Sequence, residues 1–230
     1  MSAATERELK IFITASRLKK FVDLKKLDQA AFEQSYFADS TVEAAYRIIF
    51  KKSSNIPSLM TGRLRKSRNG NKKPKFFATF KGPYLSEYSR AEYETEITES
   101  IYKTLLPLCD GYAVKKTRYH LPGSLLIGSR KYPIVAEIDH LTEWSNTFFT
   151  VDIEVNSDAH IKALRRGDHS FEFLKQGTVD ITQEKYAIRR ALSMKFLARN
   201  GFSQITRKAI KSLFKKAQTK LHQPSKTLRK

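Results

Sequence analysis

Residues 4–14 alternate with a period of two: Glu6, Glu8, Lys10 and Phe12 fall on one face, and Arg7, Leu9, Ile11 and Ile13 on the other. That period predicts a β-strand. Directly afterwards the period lengthens. Ser16 is a helix-capping residue, and Leu18, Val22, Leu24, Leu27 and Ala31 form the apolar stripe of a helix predicted to run to about residue 31. Runs rich in β-branched and aromatic residues predict strands over residues 32–37, 45–51 and 76–81. Between the last two, residues 52–75 are rich in Ser, Asn, Gly and Lys and read as a long mobile loop carrying Arg63, Arg65 and Arg68.

Alternation resumes over residues 90–96 and passes into a helix on which Ile97, Ile101 and Leu105 recur every fourth position, ending near Pro107. Three further strands are predicted over 113–121, 132–140 and 147–155. Helices follow over 158–166 and 182–200, the second stopped by Gly201. Ser203 opens a last helix whose stripe is Ile205, Ala209, Leu213, Ala217 and Leu221, opposed by a basic face. Residues 224–230 read as a disordered tail. Seven or eight strands with a few external helices make an antiparallel α+β pattern that suits a barrel or strongly curved sheet.

Composition narrows the class. With 40% apolar and 11% aromatic residues the chain has the material for a core. Its single cysteine, Cys109, excludes a disulfide framework and a Cys-rich zinc site and points to a reducing compartment. No apolar run approaches the roughly 20 residues of a membrane span, and Glu6 and Glu8 stand where a secretory signal would be apolar. These features read as a soluble cytoplasmic protein. The formal charge is +20, of which about +14 lies between Lys185 and Lys230, a stretch with no Asp or Glu. A polyanionic partner, RNA or polyphosphate, is the natural inference.

Several predicted strands repeat charge at same-face positions: Glu6, Glu8 and Lys10; Arg90, Glu92, Glu94 and Glu96; Lys116 and Arg118; Glu137 and Asp139; Asp152 and Glu154. Among them stand Val114, Thr117 and Tyr119, and Val151, Ile153 and Val155, which belong in a core. One geometry satisfies both patterns, a closed barrel with helices packed outside and a charged, wet lumen. Burying so many charges dry would cost several kcal/mol per ion. Acids on some strands and bases on others suit a metal–phosphate complex, the carboxylates taking Mg²⁺ or Mn²⁺ and the Lys and Arg side chains taking phosphate oxygens.

These residues resemble the CYTH superfamily of triphosphate tunnel metalloenzymes. Its Glu-x-Glu-x-Lys signature is matched by Glu6-Arg7-Glu8-Leu9-Lys10, and its Gln-x-Tyr strand by Gln34-Ser35-Tyr36. Lys81-Gly82, Arg90-x-Glu92-x-Glu94, Lys116-x-Arg118, Glu137-x-Asp139 and Asp152-x-Glu154 follow in the family's order, over about residues 4–192. The family's Arg-x-Arg strand has two candidates: Arg47-Ile48-Ile49, with one arginine replaced, or Arg63-Leu64-Arg65 beyond an insertion. Lys185-Tyr186 resembles part of the closing helix of short members. Nothing after Met194 has a counterpart.

The resemblance implies an eight-stranded antiparallel tunnel over residues 1–192, followed by a basic helical extension over 193–230. It implies metal-dependent cleavage of the terminal phosphoanhydride of inorganic tripolyphosphate or a small organic triphosphate. Lys10, Arg47, Lys81, Arg90, Lys116, Arg118 and Lys185 would hold phosphate. Glu6, Glu8, Glu137, Asp139, Asp152 and Glu154 would hold Mg²⁺ or Mn²⁺. A carboxylate such as Glu154, or Tyr36 paired with Lys10, would carry the acid/base step. RNA 5′-triphosphatase activity, an adenylate cyclase of the class sharing this tunnel, and a non-catalytic polyphosphate or nucleic-acid binder are the alternatives. The histidines lack metal-ligand spacing, and Trp144 reads as packing.

Overall fold

The computed structural model describes residues 4–52, 54–86, 89–142 and 146–222; Trp144 and the tail lie outside these. Nine strands form: β1 (Ala4–Thr14), β2 (Asp28–Phe37), β3 (Thr61–Arg68), β4 (Lys75–Tyr84), β5 (Ser89–Ile97), β6 (Cys109–Ile127), β7 (Arg130–His140), β8 (Phe148–Glu154) and β9 (Thr178–Asp180). The first eight pair antiparallel in the order β5-β4-β3-β2-β6-β7-β8-β1, and a β1–β5 pairing closes the ring. The closure is uneven. The β1–β5 seam runs only from Ala4↔Glu92 to Arg7↔Ser89, whereas the β6–β7 hairpin runs on to Ile127↔Arg130, beyond the end of β8.

Strand alternation sorts the side chains. Outward Leu9, Ile11, Ile13, Ile138, Val151 and Ile153 pack with Leu18, Ile161 and Leu164, the last two from α4 (Asp158–Arg166). Outward Leu64, Ala78 and Phe80 pack with Val42 and Tyr46 of α2 (Val42–Phe50) and Tyr102 and Leu105 of α3 (Glu99–Leu105). Helices therefore cover the outside and leave the inner face to polar residues.

Four predicted elements are corrected. The helix after β1 is a single turn, α1 (Ala15–Leu18), capped by Thr14, whose Oγ1 accepts from Arg17 N. The chain turns back at once, and Asp28 to Ala31 are already strand. Residues 45–51 are helical, not extended. Val42, Ala45 and Tyr46 are buried at i, i+3 and i+4, and Glu43 pairs with Arg47 one turn on at 2.7 Å. The supposed loop 52–75 contains β3, seated between β2 and β4. The predicted 182–200 helix is two, α5 (Tyr186–Ala191) and α6 (Met194–Asn200), separated where Ser193 caps the second.

The C-terminal segment packs onto the barrel. Phe12, Tyr36, Val114, Leu141 and Phe148 join Leu197 and Ala198 of α6 and Ile210, Leu213 and Ala217 of α7 (Gln204–His222) in one apolar cluster. Phe12 and Phe148 stack at 5.3 Å, and Phe214 meets Phe12 edge-on at 5.3 Å. Phe12 and Phe148 continue the charged faces of β1 and β8, so the polar lining ends in a plug. The helix α6 reaches β6 at Gly111, whose φ is +75°; a Cβ there would lie 2.4 Å from the Ala198 carbonyl oxygen.

Candidate active site

Adjacent strands place the acids and bases of the inner face opposite one another. Register pairs Glu8 with Glu154 and Lys10 with Asp152 across β1–β8, and Arg118 with Asp139 across β6–β7. Lys10 Nζ lies 2.7 Å from Asp152 Oδ1 and 3.3 Å from Glu8 Oε1. Lys81 Nζ lies 2.6 Å from Glu6 Oε1 and 2.8 Å from Glu92 Oε2, and Arg90 Nε donates to Glu6 at 2.9 Å. Lys116 Nζ donates to Asp139 at 2.5 Å. Arg118 grips Asp139 through Nε and Nη2 at 2.7 and 2.8 Å and also pairs with Glu137. These ions meet in a single enclosed lining, the juxtaposition that the charge alternation requires. The chain folds as a ring of eight antiparallel strands around a charged lining.

The strand β3 carries two of the lining's arginines. Arg63 and Arg65 face inward: Arg65 Nη2 donates to Glu94 at 2.8 Å, and Arg63 stands opposite Tyr36 across β2–β3 with Glu92 and Glu94 nearby. Burial works against the Arg63 charge, but Tyr36 and the two glutamates outweigh it and raise its pKa. Its Nε has no hydrogen-bond partner among the described residues. Arg47, by contrast, stands exposed on α2 with Glu43, outside the tunnel. Lys185 is exposed at the start of α5. Tyr36 lies by Arg63 at the plug, while the Lys10 ammonium is occupied by Asp152 and Glu8.

The six predicted metal ligands divide in two. Glu6, Glu8 and Glu154 offer oxygens that all lie within 4.8 Å of one another. Asp139, Asp152 and Glu137 lie outside that cluster and pair with Lys116, Lys10 and Arg118, while Glu6 of the cluster pairs with Lys81 and Arg90 and Glu8 with Lys10. Burial resists ionisation of Glu6 and Glu8, but Lys81 and Arg90 for Glu6, and chiefly Lys10 for Glu8, overcome it and lower both pKa values. Glu154 has no ion-pair partner among the described residues. Burial, followed by Glu137, Glu6, Glu8 and Glu92, pushes its carboxyl up to about 7. Three hard oxygen donors with a surplus of negative charge fit a divalent cation such as Mg²⁺ or Mn²⁺.

A cavity of about 470 Å³ opens beside Glu137 and Glu154, bordered by Pro122, Tyr132, Pro133, Val135 and His160. It gives the acidic side of the tunnel access to solvent. Among the described residues, no helix is long and apolar enough to cross a membrane.

No family model and no curated protein matches the sequence. Among solved structures, the tunnel is similar to a putative adenylyl cyclase from Hippeastrum, HpAC1, described as having a dominant triphosphatase activity: 15% identity, 70% of this chain, 85% of that one, TM-score 0.43. It is also similar to the inorganic triphosphatase NE1496, at 21% identity over 85% of this chain and 95% of that one, TM-score 0.41. A third similarity is to the Schizosaccharomyces pombe Mediator head module, at 11% identity over 71% and 90%, TM-score 0.38.

Proposed function

We propose that the chain hydrolyses the terminal phosphoanhydride of a triphosphate, inorganic or carrying a small organic group, with Mg²⁺ or Mn²⁺. One observation carries this reading: the Glu6, Glu8 and Glu154 triad adjoins a cationic lining in the same tunnel. A purely anion-binding groove gains nothing from a carboxylate cluster, and a purely cation-binding one gains nothing from buried arginines.

A triphosphate carries about four negative charges at neutral pH, and its hydrolysis depends mainly on positioning and charge neutralisation. Lys10, Arg63, Arg65, Lys81, Arg90, Lys116 and Arg118 would exchange carboxylate partners for phosphate oxygens, each charge-assisted bond contributing about 1.5–3 kcal/mol. Bound at Glu6, Glu8 and Glu154, a divalent ion supplies Lewis-acid neutralisation of phosphate charge. Lys81 and Arg90 keep Glu6 ionised for that role. A carboxylate oxygen of Glu154 would take the proton of the attacking water.

Phosphate release from tripolyphosphate, with and without Mg²⁺ or Mn²⁺, tests the reading. Metal-dependent release that is lost in Glu8→Ala supports it. Equal turnover by Glu8→Ala and Lys81→Ala proteins that remain folded refutes it.

A further inference from the structure

The helix α7 is amphipathic, and the middle of its apolar side is already used. Ala209, Ile210, Leu213 and Ala217 are buried in the plug. Arg207, Lys208, Lys211 and Lys215 remain exposed. At 3.6 residues per turn these four occupy roughly a 100° sector and about 12 Å of helix length. Arg207 with Lys211, and Lys211 with Lys215, are like-charge pairs one turn apart, an arrangement that opposes the helix. No acid lies between Lys185 and Lys230 to relieve it. Lys216, on another side, is neutralised by Glu184 at 2.5 Å. The stripe therefore keeps a concentrated positive field that an external polyanion would compensate.

We propose that the Arg207, Lys208, Lys211 and Lys215 stripe docks the phosphate backbone of a nucleic acid. Three of its cations follow one another about 6 Å apart along the helix. A nucleic-acid strand carries one charge per about 3.4 Å, so the stripe faces roughly three or four phosphates of one strand. A straight row suits an extended polyanion better than a compact phosphate. A lipid surface fits poorly, because an interfacial helix must offer apolar residues to the bilayer. Here the middle of that side is under the plug, only Ile205 and Leu221 near the helix ends are exposed, and exposed Gln204 and Gln218 flank the cations. The proposal does not depend on triphosphate hydrolysis.

The test is binding of the full chain to a labelled single-stranded RNA, followed by anisotropy between about 50 and 200 mM salt. The expected log–log slope against salt from this stripe is about −2 to −3. The variant R207Q/K208Q/K211Q/K215Q should bind at least about tenfold more weakly at the lower salt and lose most of that slope. Its tripolyphosphate hydrolysis should be unchanged, since none of the four lines the tunnel. A control, K19Q/K20Q/K25Q, removes exposed charge elsewhere and should bind as the parent does. Three outcomes overturn the proposal: equal RNA binding by the quadruple variant, equal weakening by the control, or loss in the variant of binding to anionic phosphatidylserine vesicles with RNA binding intact.

Discussion

The Lys81 ammonium lies between two carboxylates from different strands, 2.6 Å from Glu6 of β1 and 2.8 Å from Glu92 of β5. Those strands form the seam that closes the ring, so this cation serves both the lining and the closure. Lys81→Met would strand buried Glu6 and Glu92 with less compensation. Breaking a buried pair in this way costs about 3–5 kcal/mol. Denaturant unfolding should show that loss, and Lys81→Met with Glu6→Gln should recover much of it. Losses that simply add would show that the two residues do not interact.

Arg63 and Arg65 line the tunnel and Arg47 stands outside it. Arg63→Ala or Arg65→Ala is expected to lower kcat/KM for tripolyphosphate about 10- to 100-fold, the worth of one charge-assisted hydrogen bond. Arg47→Ala should stay within about twofold, since Arg47 is exposed on α2, outside the tunnel. A larger effect at residue 47 than at 63 would put the arginine strand in the wrong place.

The two arginines show what the sequence could and could not reveal. The strands β1, β7 and β8 were legible because their polar inner positions alternate with Leu9, Ile11, Ile138 and Val151, which have one place to go. In β3 the outward partners are Gly62, Leu64 and Lys66, too weak an apolar signal to stand out from a Ser-, Gly- and Lys-rich surrounding. Its strand state comes from pairing with β2 and β4. In α2 the run Ile48-Ile49-Phe50 reads as strand by propensity, although the Glu43/Arg47 spacing and the Val42, Ala45 and Tyr46 stripe are helical. Tertiary packing decided both. The grouping of Glu6, Glu8 and Glu154 apart from Glu137, Asp139 and Asp152 needs cross-strand register, which a sequence does not contain.

Without metal, Glu154 and Asp152 titrate high. Burial and then Glu137 raise Glu154 to about 7, and burial and then Glu8 raise Asp152 to about 6. Folding therefore binds protons between about pH 4 and 7, and these two groups make the metal-free protein less stable as pH rises through that window. Glu6 and Asp139 are depressed, so their contribution is present above the usual carboxylate range and is lost as pH falls through their folded pKa values. A divalent cation needs ionised ligands. Mn²⁺ should raise the Tm more at about pH 7.5 than at about pH 5.5, and Glu154→Gln should abolish the difference. An equal rise at both pH values, or an undiminished one in the variant, would remove Glu154 from the metal site.

The plug ties the end of the chain to the barrel. Leu213 is fully buried against a cluster that includes Phe12 and Phe148, and Lys195 and Arg199 of α6 pair with Asp39 at 2.6 and 3.0 Å. Removing residues 193–230 would leave Phe12, Tyr36, Val114 and Phe148 facing water at the inner end of the tunnel. Leu213→Ala, a smaller insult, should cost about 2–5 kcal/mol through lost burial and the cavity left behind. A chain ending at Leu192 should bind a hydrophobic dye and melt without a cooperative transition, whereas R207Q/K208Q/K211Q/K215Q, which alters the solvent side of α7, should melt like the parent. Cooperative unfolding of the shortened chain at the parental Tm would mean that α6 and α7 lie on a finished barrel and do not complete it.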